Sequence, residues 1–203
     1  MALLKIARMG HPVLRRPAEP VADPGSAEVA RLLADMAETL ADAGGVGLAA
    51  PQVHAGLRIV LFMVPAGRAT DPRAPAGSPT GPQPLTVLIN PEITPLSEEM
   101  DEAWEACLSI PSLTGLVPRF RRIRYTAVGA DGRPVSRIAD GFHARVVQHE
   151  CDHLDGLLYP ARIRDLQHFG FVEEMQRSAR PAAPDPRLGA SGDPAPTLAK
   201  EAN

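Results

Sequence analysis

Gln148-His149-Glu150-Cys151-Asp152-His153-Leu154 is the stretch from which both the fold and the chemistry are read. It lies within residues 141–154, a helix by pattern, closed near Gly156. His149 and His153 stand four apart, so on a helix their side chains share one face, roughly 5–6 Å apart at Cβ. Two imidazoles at that spacing suit one divalent metal ion, and the Glu between them is placed to move protons. At about 100° per residue Glu150 and Asp152 flank the His pair and Cys151 points away from it. Val146 and Phe142 fall on the His face, an apolar neighbourhood for an ion. The competing reading is a helix with two partly buried, hydrogen-bonded His; the complete His-Glu-x-x-His pattern favours the metal.

Outward from that helix the chain alternates in type. Residues 26–43 place Val29, Leu32, Leu33, Met36 and Leu40 on one helical stripe, with Asp23 or Ser26 to cap it and Gly44-Gly45 to stop it. The runs 57–64 (LRIVLFMV) and 85–90 (LTVLIN) are short and β-rich, as buried strands are. Residues 121–139 alternate around Asp131-Gly132, a hairpin signal, and 161–177 carry a third helical pattern. Strands with few helices and hairpin connections predict an α+β fold, with mixed or antiparallel strands packed around the central metal-binding helix.

Composition bounds this picture. Two hundred and three residues fit one compact domain or two very small ones, 44% apolar content is enough for a real core, and 21 basic against 24 acidic side chains argue against a general nucleic-acid binder. No run approaches ~18 apolar residues, so no membrane span is expected. The start, MALLKIARMGHPVLRRP, does not read as a secretory signal, and two cysteines suggest thiols in a cytoplasmic protein rather than a disulfide frame. Of 22 prolines, six fall in 65–84 and five in 178–203. Both stretches are poor in large apolar residues, so the reading is a catalytic domain over 1–177 with an inserted proline-rich loop at 65–84, followed by a disordered tail over 178–203.

A His pair needs a third ligand. Metzincin proteases would place a His where Tyr159 stands, and thermolysin-like proteases a Glu near the position of Glu173. Upstream, Glu105-Ala106-Cys107-Leu108-Ser109 offers a thiolate, which with two imidazoles leaves a fourth position open, as catalytic sites do. Cys107 also fits a small buried hydrophobe. Gly44-Gly45-Val46-Gly47-Leu48-Ala49-Ala50-Pro51-Gln52 allows close backbone approach by a ligand and offers an amide donor, though it also fits a helix cap running into a turn.

Taken in order, three segments resemble the motifs of the peptide deformylase family: Gly45-Val46-Gly47-Leu48-Ala49-Ala50-Pro51-Gln52, Glu105-Ala106-Cys107-Leu108-Ser109, and Gln148-His149-Glu150-Cys151-Asp152-His153-Leu154-Asp155-Gly156. The resemblance runs from about residue 3 to 175. It implies one divalent metal held by Cys107, His149 and His153, ferrous iron first, with nickel, cobalt or zinc as substitutes. It implies Glu150 as general acid and base, and the Gln52 side chain with the Leu108 N–H as oxyanion donors. The implied reaction removes the formyl group from N-formylmethionyl nascent peptides and releases formate. Val46, Phe142 and Val146 are expected to wall the methionine pocket, the peptide backbone to pair beside Gly45–Gly47, and Glu105 to pair with Arg119. Two positions depart from the family pattern: Ala106 stands where a glycine is usual, and Thr114 where many members carry an Arg. Alternatives are a metalloendopeptidase using Glu173 and a family member reduced to a binding protein. Arg162, Arg164, Arg177 and Arg180 suggest a basic C-terminal helix and weak ribosome docking.

Overall fold

The apolar run 59–64 is unbroken because the strand it forms is buried on both faces. A computed structural model of the chain describes residues 2–69, 73 and 81–178. In chain order the elements are α1 (Ala27–Ala43), β1 (Gly47–Ala49), β2 (Ile59–Val64), β3 (Gln83–Pro95), β4 (Met100–Cys107), β5 (Ile110–Phe120), β6 (Arg122–Val128), β7 (Pro134–Asp140), α2 (Gly141–Leu154), β8 (Phe169–Phe171) and α3 (Val172–Ser178). One antiparallel sheet runs β1-β2-β3-β6-β7 and a second runs β4-β5-β8. Sheets and helices segregate as an α+β fold requires. Among the described residues no helix is long and apolar enough to cross a membrane.

Strand β2 sorts its side chains between two cores. Val60, Phe62 and Val64 meet Ala144, Val147, Cys151 and Leu154 of α2. Ile59 and Leu61 join Val29, Met36 and Leu40 of α1 on the other face. Ser26 caps α1 by accepting from the Val29 N–H at 3.3 Å, and Gly44, at φ 64°, ends it in the left-handed region where a side chain would be strained. A smaller core of Cys107, Ile110, Val117 and Tyr159 lies against the second sheet.

The hairpin around Asp131-Gly132 and the helix over 141–154 stand where the pattern put them. Three features differ. Strand β3 continues past Asn90 to Pro95, because a bulge at Asn90 (φ 52°) bends it rather than ending it. The Asn90 amide accepts from Val21 N and donates to Val21 O, at 2.8 and 3.0 Å. Residues 100–120 form a long hairpin whose register signal is hidden by buried charge at Glu105 and Arg119. The helical pattern over 161–177 is mostly not a helix: short 3-10 turns at Tyr159–Arg162 and Leu166–His168 lead to β8, and only Val172–Ser178 is helical. The open edge of β5 takes Phe169–Phe171 as a strand partner, and that pairing overrides the local period. Only residues 65–69, 73 and 81–84 of the expected proline loop, and residue 178 of the expected tail, lie within the described residues; the rest of both lies outside them.

Candidate metal centre and active site

Helix α2 reaches the middle of the molecule, and its buried side chains are polar as well as apolar: Arg145, Gln148, Glu150, Asp152 and His153 are all inside. Gln148 joins it to the second sheet by accepting from Phe120 N at 3.1 Å and donating to Phe120 O at 2.8 Å. That contact ties α2 to the open end of the β4–β5 hairpin, where Phe120 faces Met100, and the helix also meets Cys107 at the closed end, where the hairpin turns. Cys107 Sγ, at that turn, lies 3.4 Å from His153 Nε2. One atom each from Cys107, His149 and His153 falls within a 4.8 Å cluster. Glu173 is exposed on α3 and outside this cluster, and Tyr159 packs its ring on His149 at 6.2 Å between centroids. The donor set, one thiol sulfur and two imidazoles, suits a divalent transition metal and leaves a coordination position open.

Glu105 organises what surrounds the cluster. Its carboxylate accepts from Arg119 Nε and Nη2 at 2.9 Å each, from Arg145 Nη1 at 2.7 Å and from His149 Nδ1 at 2.8 Å. Burial alone would raise the Glu105 carboxyl, but the Arg119 and His149 hydrogen bonds outweigh it and hold it well below the carboxylate range. With Nδ1 taken by Glu105, His149 turns Nε2 toward the cluster. Arg119 also pairs with Asp152, which receives Arg162 at 2.5 and 2.6 Å. A continuous ion network therefore runs from buried Arg145 through Glu105, Arg119 and Asp152 to the exposed Arg162, behind the three donor residues.

The remaining groups face the cluster. Burial pushes the Glu150 carboxyl up to about 7, and its Oε2 is buried without a partner. Burial disfavours charge on His149 too, yet Cys107 and Glu105 accept from it and keep its pKa well above the usual value; a metal ion would displace that proton. Burial holds His153 well below the usual value, the neutral form a ligand needs. Gln52, fully inside, accepts from Ala49 N at 2.8 Å, and its Nε2 donates to Ser109 Oγ at 3.1 Å while lying 3.5 Å from Cys107 Sγ. Cys151 sits in the core beneath α2, where burial pushes its thiol well up.

A cavity of about 550 Å³ opens onto the cluster. Gln52, Leu108, Glu150, His149, Cys107, Gly45, Val46, Gly47, Phe142 and Val146 all line it, so these residues singled out from sequence converge on one space. Strand β1 borders it as a sheet edge, paired among the described residues only to β2. A Cβ on Gly47 would overlap the Glu150 carboxylate, so this position needs glycine for close approach rather than for its turn. Gly47→Ala is expected to leave the metal bound but cut kcat/KM about 100-fold by displacing Glu150, measured as formate release beside elemental analysis.

The family profile of polypeptide deformylase matches residues 3–169. The chain belongs to this family. It is 50% identical over 170 residues to peptide deformylase 1 of Nitrosomonas europaea, covering 84% of this chain and 93% of that one. Peptide deformylase 1 of Bordetella pertussis is 52% identical over 168 residues, covering 83% and 92%. The structure of a class I type b peptide deformylase from Acinetobacter baumannii, bound to Met-Ala-Ser, superposes with a TM-score of 0.70 at 34% identity, covering 80% of this chain and 99% of that one. The protein is thus a metal-dependent hydrolase that removes the formyl group from N-terminal formylmethionine.

Two functional neighbours escape the motifs. Arg145 sits one residue before Val146 and holds Glu105, and Arg68 stacks on Phe142. The signal for Arg145 is a charged residue interrupting the buried face of α2; Arg68 carries no local signal at all. Thr114 is spent on structure, donating to Glu105 O at 2.9 Å. The arginines suggested as a basic helix are dispersed: Arg162 is tied to Asp152, Arg164 follows a 3-10 turn, Arg177 pairs with Glu174 on α3, and Arg180 lies outside the described residues.

Proposed function

We propose that Cys107, His149 and His153 hold one divalent metal ion per chain, ferrous iron by preference, and that Glu150 is the proton-transfer group of the deformylation. The observation that carries this reading is the convergence of the three donor atoms beside a buried carboxyl with an unpartnered oxygen. The metal supplies Lewis acidity there, activating water and polarising the formyl carbonyl. Glu150 takes the proton of the attacking water and returns it to the amine that leaves. Gln52 Nε2 and the Leu108 N–H receive the negative charge that develops on the formyl oxygen, Gln52 being held in its rotamer by Ala49 and Ser109. Val46, Phe142 and Val146 take the methionine side chain, and the peptide adds as a strand along Gly45–Gly47. A structure of a family member bound to Met-Ala-Ser, a peptide beginning with methionine, supports a substrate of that kind. Nickel, cobalt and zinc satisfy the same donors. A nascent-chain substrate calls for an enzyme in the cytoplasm, and any weak ribosome contact would use dispersed arginines rather than one basic helix.

Reduced protein loaded with ferrous iron or nickel should release formate from formyl-Met-Ala-Ser, and no formate from metal-loaded protein would end this reading. Cys107→Ala is expected to weaken metal retention by more than the ~10–100-fold that supporting residues cost. Cys151→Ala, with its thiol in the core, should retain metal as the parent does, read by elemental analysis after dialysis.

A further inference from the structure

Two arginines line the catalytic cavity, and only one of them is neutralised. Arg145 is bonded to Glu105 at 2.7 Å, whereas Arg68 makes no ion pair among the described residues. Arg68 is exposed at the end of a 3-10 turn, Ala66–Arg68, where the expected loop leaves β2. Its guanidinium lies 4.0 Å from the centroid of the Phe142 ring. Stacking of this kind fixes the plane of the group while leaving the N–H donors at its rim free for an acceptor. The fold thus holds a pre-oriented cation at the mouth of the active site.

Its position along the cavity follows from the strand register. Gly47 pairs with Phe62, and Met63 N donates to Val46 O at 2.8 Å, so β2 runs outward past Gly45 before reaching Arg68. Glu150 lies against Gly47, at the opposite end. A formylated peptide added along β1 with its formyl group at Glu150 therefore passes Arg68 with the residues after methionine. Side chains alternate between faces of a strand at about 3.3 Å per residue, so the third residue returns to the face of the methionine, where Phe142 and Arg68 stand.

We propose that Arg68 is a specificity-determining residue that binds a carboxylate on the third residue of the formylated peptide. This rests on the peptide course given above. The other acidic and basic groups near this end are committed: Asp101 to Arg73 and Arg121, and Glu102 faces Arg164 at 3.8 Å. A guanidinium with no ion-pair partner among the described residues is the one left to select the substrate.

The test uses metal-loaded enzyme and C-terminally amidated peptides, so that an α-carboxylate does not contribute. Formyl-Met-Ala-Asp-Ser should exceed formyl-Met-Ala-Asn-Ser by about two- to fivefold in kcat/KM, through KM, as an exposed ion pair allows. Added salt should shrink the ratio. Arg68→Met should bring it to one and Arg68→Glu should invert it, while Arg133→Gln, a charge removed at the distant hairpin tip, should not alter it. An undiminished ratio in Arg68→Met overturns the proposal, as does a parallel slowing of both peptides, which would mean that Arg68 only buttresses Phe142. A preference for Asp at the second residue in place of the third overturns the assigned register. Failure of the active-site reading itself shows differently, as no turnover of formyl-Met-Ala-Asn-Ser by the parent enzyme.

Discussion

Glu150→Gln should leave the protein folded and its metal bound while lowering kcat by about 10²- to 10⁴-fold, the span that a positioned proton-transfer group contributes. The substitution keeps the volume and planarity of the side chain beside Gly47, so it removes proton transfer without opening a cavity. Glu150 is 4% exposed and its Oε2 has no partner, so no ion pair is broken when its charge is lost. Formate release gives kcat, and elemental analysis on the same sample gives the metal. Loss of the metal in Glu150→Gln would make Glu150 a ligand, and near-parental turnover would assign proton transfer to another group. The raised pKa, about 7, comes from burial, which disfavours the carboxylate. A carboxyl poised there can hold the water proton and release it to a departing amine within one turnover.

What the sequence made legible divides along a physical line. Helices α1 and α2 and the hairpin β6–β7 were readable because each has a local signature: a stripe, a capping residue, an Asp-Gly turn. The His pair was readable for the same reason, since four residues on a helix fix a distance. The β4–β5 hairpin was not, because a strand that buries Glu105 and Arg119 breaks the polar–apolar alternation by which strands are recognised. Residues 161–171 were misread as helix because the edge of β5, distant in sequence, decides their conformation. Cys107 was a candidate ligand by its chemistry alone, beside a reading as a small buried hydrophobe, and family likeness chose between them; the turn that brings its sulfur to 3.4 Å from His153 Nε2 depends on that unreadable hairpin. Arg145 and Arg68 belong to the same class. Each acts through a partner far along the chain, Glu105 at forty residues' separation in the first case, so no window of sequence contains the interaction.

Glu105→Ala is expected to be the most damaging single change outside the metal ligands. It strips the shared acceptor from Arg119, Arg145 and His149 at once and leaves two guanidinium groups inside without it. Removing one partner from a buried ion network costs about 3–5 kcal/mol. For a chain of this size that is a fall in Tm of roughly 6–20 °C, at about 2–4 °C per kcal/mol. Metal affinity should fall as well, by about 10–100-fold, because the hydrogen bond to Nδ1 that orients His149 is gone. The two effects separate by experiment. Glu105→Gln keeps an acceptor oxygen and the side-chain shape, so it should recover part of the affinity while leaving the arginines short of negative charge. If affinity is unchanged in a protein whose Tm has dropped, Glu105 serves the fold alone. Arg145→Met in the Glu105→Ala background removes one stranded cation and should restore stability, a coupling that a double-mutant cycle measures. That expected rescue follows from the arithmetic of the network. With Asp152 shared between Arg119 and Arg162, Glu105 is the only carboxylate paired with Arg145 among the described residues, so the two belong to the site as a unit.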